Sequence, residues 1–239
     1  MRFLKLEKRN KISFVSFTRT KSLNALNSET LRELIALNNE LDNDTNTRVI
    51  VYRSEGKNFS AGADIKEQQK KLSKLEIWKS NLGKEAIESI LKINQITIAS
   101  LKGYCLGGAA CIASACDFRV ASDTTLVAYP EIDLGMNLNW FGLPLLLRLI
   151  GPSKTKKMVI SGEIENANDL YKWGFVDEIF KDEELDKKTI AFAKKYASKP
   201  PLPTQMIKRS VNALTYQADQ AIMHMDYDQF LLAREFHKE

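Results

Sequence analysis

Gly103-Tyr104-Cys105-Leu106-Gly107-Gly108-Ala109-Ala110-Cys111-Ile112-Ala113-Ser114-Ala115-Cys116-Asp117 is the stretch on which the reading of this chain turns. The paired glycines 107 and 108 precede a run of small residues, which predicts a short helix opening at the pair. N–H groups at a helix start have no intrahelical acceptor and sit at the positive end of the dipole, where they stabilise an anion or a developing oxyanion. A glycine there lets a ligand approach the main chain closely. A second glycine-marked turn, Phe59-Ser60-Ala61-Gly62-Ala63-Asp64, reads the same way, as the end of a loop and the start of a helix. No phosphate-loop, dinucleotide or nucleophile-elbow pattern accompanies either turn, so those readings lack support.

Outward from these turns, Arg2 to Leu6 and Ile12 to Phe17 alternate apolar and polar around Lys8-Arg9-Asn10-Lys11, which predicts a β-hairpin. Leu31, Leu34, Ile35, Leu37 and Leu41 form one stripe behind an Asn27 or Ser28 cap, which predicts a helix over 28–41. Strands are expected at Arg48 to Arg53, Ile96 to Leu101, Phe118 to Ala121, Thr125 to Tyr129 and Gly174 to Ile179, with helical patterns from about Asp64 to Asn94 and from Phe141 onward. Helix-separated strands call for a mainly parallel sheet with crossovers, an α/β fold. Leu185, Thr189, Phe192 and Tyr196 give one late helical stripe, and Ile207, Val211 and Leu214 another. Pro200-Pro201-Leu202-Pro203 marks a boundary. The expected division is a core over residues 1–195 and a helical region over 196–239.

The 239 residues are 44% hydrophobic with no low-complexity run, which excludes a disordered chain. Cys105, Cys111 and Cys116 lack the paired spacing of a zinc or redox motif and read as reduced thiols. No metal site is expected. The N-terminus has no apolar signal region, and the longest apolar run, Leu143 to Leu147, is too short to span a membrane. A cytoplasmic protein with no membrane partner is therefore expected. A net charge of +5 is mild. Lys66, Lys70 and Lys74 recur at helical spacing, either as a solvated face or as a rim that attracts a polyanion.

The two turns occur together with other spaced motifs that resemble the crotonase (enoyl-CoA hydratase/isomerase) superfamily. The resemblance covers about Lys21 to Ile179. It runs through Ser22-Leu23-Asn24-Ala25-Leu26, Phe59 to Ile65, the Gly103 stretch, Pro130-Glu131, Arg148-Leu149-Ile150-Gly151, Ser161-Gly162 and Trp173 to Asp177. It implies a (ββα) spiral core with a helical C-terminal trimerisation region, a homotrimer or hexamer, and an acyl-CoA thioester substrate. No cofactor is implied beyond the coenzyme A of the substrate. The N–H groups of Ala63 and Gly108 would form an oxyanion hole for the thioester carbonyl, and Glu131 would carry the proton. Binding positions carried over are Ser22, Leu23, Ala25, Ala61, Asp64, Ile65, Lys66, Leu106, Cys111, Pro130 and Trp140.

Two departures bear on the reaction. The family's hydratases carry a glutamate where this chain has Cys111, whose thiol reads as a small buried hydrophobe with no neighbouring histidine to activate it. His224 and His237 both lie in the helical tail. Where hydratases have a Pro/Gly-rich turn, this chain has Met136-Asn137-Leu138-Asn139-Trp140-Phe141-Gly142, whose bulky pair reshapes or shortens the acyl pocket. One carboxylate instead of two favours double-bond isomerisation, similar to the Δ3,Δ2-enoyl-CoA isomerases. The alternatives are 2-enoyl-CoA hydration or dehydration, other enolate chemistry such as C–C bond formation or decarboxylation, and a non-catalytic acyl-CoA or RNA binder. No RNA-binding motif is present, so no nucleic-acid partner is expected.

Overall fold

The computed structural model describes residues 1–67, 73–219, 223 and 225–237. The expected hairpin is β1 (Leu4–Arg9) and β2 (Ile12–Phe17), paired antiparallel from Leu4 opposite Phe17 to Arg9 opposite Ile12. From β2 the sheet continues in parallel through β3 (Val49–Ser54), β4 (Ile96–Leu101), β6 (Phe118–Ser122) and β9 (Glu178–Phe180). The strand expected at Gly174 to Ile179 starts later, because Gly174 adopts φ 85° and terminates helix α6 (Ala167–Trp173). A parallel sheet needs cover on both faces, and the alternation within β3 shows it. Ile50 and Tyr52 pack with Leu34, Leu37 and Leu41 of α1 (Ser28–Asp42) and with Ile87 and Ile90 of α3 (Leu82–Lys92). Val49 and Val51 point the other way, into a cluster with Leu185, Ala193 and Ala197 of α7 (Leu185–Ala197).

Capping and buried polar ties fix these helices. Asn27 accepts the Thr30 N–H at 2.9 Å and starts α1 as its spacing predicts. Tyr52 donates its hydroxyl to Asn38, which in turn donates to Ser89, joining β3, α1 and α3. Helix α8 (Pro201–Tyr216) is held to the body by Lys208, a buried lysine that donates to the Gln95 carbonyl at 2.8 Å and to Asp117 at 2.7 Å. Ile207, Val211 and Leu214 share this helix but are exposed.

A second sheet, which the sequence pattern did not reveal, decides where the site sits. It joins β5 (Tyr104–Leu106), β7 (Leu126–Ala128) and β8 (Glu165–Asn166). Helix α4 (Gly108–Ala115) springs from its β5 end, as the glycine pair predicts. Helix α5 (Gly142–Ser161) follows a loop over 135–141 and breaks at Gly151, which has φ 72° and ψ 172°.

The first glycine turn differs from expectation. No helix begins at Asp64: Leu26 forms a β-bridge to Ala63, with the Leu26 N–H on the Gly62 carbonyl and the Asp64 N–H on the Leu26 carbonyl. That pairing holds the segment extended. Lys66 consequently lies in a turn, and the next described helix is α2 (Lys74–Lys79), which does not include Lys66. Lys70, Lys71 and His224 lie outside the described residues. No described helix is long and apolar enough to cross a membrane.

Candidate active site

Backbone pairing brings the two turns together. Ser60 bridges Cys105, its N–H bonded to the Tyr104 carbonyl at 2.9 Å and its carbonyl accepting the Leu106 N–H at 3.1 Å. Gly62, at φ 87°, then crosses so close to β5 that an added Cβ would stand 2.5 Å from the Leu106 oxygen and 3.5 Å from the Gly108 nitrogen. Only glycine fits both the dihedral and the gap. Among the described residues, the N–H groups of Ala63 and Gly108 donate to nothing. Ala63 owes its free N–H to the alternation of the bridge to Leu26, and Gly108 owes its own to the first turn of α4. Two unengaged donors thus lie on adjoining segments and both belong to the wall of one cleft.

A cleft of about 480 Å³ opens in front of them. Glu131 enters it from a 3-10 turn, Pro130–Leu134, in which Pro130 presets the first position. Its Oε2 is buried without a hydrogen-bond partner. Burial pushes the carboxyl from its usual 4.5 up to about 7, because ionisation away from water is penalised. Asp64 is the other carboxylate on the wall, and Arg19 holds it at 2.9 Å. Glu131 is therefore the only carboxylate among the described wall residues that no cation engages.

Cys111 forms part of the wall, but its thiol is fully buried and points to the Asn139 carbonyl at 3.8 Å. Burial, and then the negative charge of Glu131, push this thiol well above its usual range. It is neither a nucleophile nor a base at neutral pH. Ala61, Ile65 and Trp140 also line the cleft. Ser22, Leu23, Ala25, Lys66 and Leu106 do not. The Leu23 carbonyl accepts the Ala61 N–H, the Ala25 carbonyl accepts from Arg19, and the Leu106 carbonyl faces Gly62, so these positions shape the turn from behind. Lys66 is exposed beside it.

The structure adds residues that the sequence reading missed. Phe230 and Arg234 of the last helix, α9 (Asp226–Phe236), close one side of the cleft. Asp226, Phe230 and Arg234 recur at i, i+4, the spacing that puts them on one face. Asp226 is buried and accepts the Phe141 N–H at 3.3 Å. Asn137 donates to Gln229 at 2.9 Å, and His237 packs over Gly135, where an added Cβ would stand 2.0 Å from its ring. Trp78 and Ile77 of α2 meet Asp228 and Tyr227 on the other flank of α9.

Likeness to known proteins places the chain in a family. The profile of the enoyl-CoA hydratase/isomerase family matches residues 7–239. The chain belongs to that family. It is 32% identical over 209 residues to the short-chain-enoyl-CoA hydratase of Clostridium acetobutylicum, covering 87% of this chain and 80% of that one. It is 31% identical, at the same coverage, to the crotonyl-CoA hydratase of Syntrophomonas wolfei. The crystal structure of a probable enoyl-CoA hydratase from Mycobacterium thermoresistibile superposes with a TM-score of 0.89 at 25% identity, covering 98% of each chain. The fold is the crotonase fold, and the chain is an acyl-CoA enzyme of that family.

Proposed function

We propose that this enzyme moves a double bond within an enoyl-CoA, from the 3,4 to the 2,3 position, with Glu131 as the single proton carrier. The thioester carbonyl accepts hydrogen bonds from the Ala63 and Gly108 N–H groups, which stabilise the charge that develops on its oxygen. A donor of this kind is worth about 10²–10³ in rate. Glu131, ionised, removes a proton from C2; the C3–C4 π electrons become part of a dienolate. The protonated carboxyl then returns the proton to C4, leaving the conjugated C2–C3 double bond and an ionised Glu131. A carboxyl with a pKa near 7 is suited to both halves of this transfer.

The observation that carries the reading is that, among the described cleft residues, Glu131 is the one carboxylate without a cation partner. Hydration needs a water that is both held and activated, and Cys111 is buried, neutral and turned toward Asn139. The second reading is hydration of a 2-enoyl-CoA, favoured by the names of the relatives at 31–32% identity. The two are separated in one ultraviolet assay, since the conjugated thioester absorbs. We expect a 3-enoyl-CoA to be converted to the 2-enoyl-CoA faster than crotonyl-CoA is hydrated, and Cys111→Glu to raise hydration relative to isomerisation. Efficient hydration by the unaltered enzyme, unchanged by that substitution, would overturn the isomerase reading.

A further inference from the structure

Trp140 occupies a seat built by two glycines from different helices. A Cβ on Gly83, the second residue of α3, would stand 1.6 Å from Trp140 Cε2 and 2.0 Å from Nε1. A Cβ on Gly108, the first residue of α4, would stand 2.1 Å from Cζ3 at the opposite end of the indole. The ring therefore spans the gap between the starts of α3 and α4, in contact with the main chain at both ends. No side chain other than hydrogen fits at either contact without displacing it.

The backbone beneath the indole is strained and held. Trp140 and Phe141 both have positive φ, 57° and 55°, a conformation that large residues seldom adopt and that persists only where the surroundings impose it. Three hydrogen bonds impose it here. Trp140 N–H donates to the Asn139 side-chain oxygen at 2.6 Å, and that oxygen also accepts from Asn81 at 3.2 Å. Phe141 N–H donates to Asp226. Asn81 itself caps α3 through the Lys84 N–H. The turn is thus pinned to the α3 start on one side and to α9 on the other.

The position of the indole matters because of what lies at Gly108. The glycine pair has Glu131 Oε1 against Gly107 and the Trp140 ring against Gly108, so a thioester carbonyl at the Gly108 N–H would lie near both. Close to the indole the packing is tight: Cys111, one helical turn on in α4, packs against Gly142, and Leu138 and Phe141 are buried. We propose that the Trp140 indole, seated between Gly83 and Gly108, is the stop that fixes acyl-chain length and confines this enzyme to short straight-chain acyl thioesters. The inference rests on the site being an acyl-thioester site but on neither reading of the reaction.

Binding of saturated acyl-CoAs tests it without any turnover. In calorimetric titrations of the purified protein we expect butyryl-CoA to bind at least tenfold more tightly than octanoyl-CoA, since a closed apolar pocket discriminates single methylenes by roughly 10–200-fold. Trp140→Phe and Trp140→Ala should lower that preference in graded steps, the alanine variant by about tenfold or more in the ratio of butyryl- to octanoyl-CoA affinity, with acetyl-CoA titrated alongside as the shortest reference. Trp140→Phe keeps an aromatic ring on Gly108 and serves if the alanine variant does not fold. Equal loss of affinity for all three thioesters would show a merely structural role. Equal affinity for butyryl- and octanoyl-CoA in the unaltered protein would overturn the proposal. Failure of every acyl-CoA to bind would remove the reading of the site itself.

Discussion

The Glu131 carboxylate rests on the bare Cα of Gly107: a Cβ there would stand 2.7 Å from Oε1. The same glycine has φ 52° and ψ −121°, open only to a residue without a side chain, and its N–H is bonded to the Ala128 carbonyl. The Glu131 carboxylate and the glycine turn are therefore interlocked. Gly107→Ala should displace both, with kcat/KM falling by more than about 10²–10³, the range for losing one oxyanion donor. A folded alanine variant with near-native turnover would show that neither depends on this contact.

Glu131→Gln keeps shape and removes proton transfer. We expect turnover to fall by at least about 10², within the usual range for a general base, while acetyl-CoA binding changes little. In the unaltered enzyme kcat/KM should rise with pH through about 7, because the group must be ionised to remove a proton. A rise centred near 4.5 would mean that Glu131 is solvated in the working enzyme.

The same burial acts on stability with the opposite sense. The folded-state pKa is raised, so the unfolded chain ionises first, and stability falls as pH rises from about 4.5 to about 7. Integrated over that window, the effect is at most about 3 kcal/mol. Glu131→Gln should therefore raise the Tm at pH 8 and leave it nearly unchanged at pH 4. Equal shifts at both pH values would assign the effect to packing.

Cys111→Ser should retain turnover within about threefold, since an un-ionised buried thiol contributes no charge to the reaction. A loss of two orders of magnitude, measured with the 3-enoyl-CoA, would give the sulfur a chemical role.

Asp226→Ala leaves the Phe141 N–H without its acceptor and should destabilise the protein by about 1–3 kcal/mol. Asp226→Asn retains the acceptor and removes a charge whose ionisation burial disfavours. Thermal unfolding at pH 8 should thus rank the asparagine variant at or above the native chain and the alanine variant below it.

Much of this frame is legible in residue order. Asn27 and the leucine stripe specify α1, the β-branched run specifies β4, and the glycine pair specifies the start of α4. What escapes is decided by partners distant in sequence. Ala63 has a free N–H because Leu26 pairs across it, not because a helix begins there, and local pattern carries no trace of that bridge. Strands β5 and β8 are three and two residues long, below the length at which alternation is visible. Ala63, Gly108 and Glu131 line one cleft and each sits in a motif visible in the sequence, whereas Gly83 beneath Trp140 and the Asp226–Phe230–Arg234 face have no local signature pointing at the cleft.

The Ser60–Cys105 bridge is made of main-chain atoms alone. On the proposed reading, the placement of the two free donors then depends on the chain path and on the glycines at 62, 107 and 108 more than on neighbouring side chains. What becomes of the polarised substrate is left to separately mutable positions such as 111, 131 and 140. Under that division, a single replacement at one of those side chains would alter the reaction with both donors still in place.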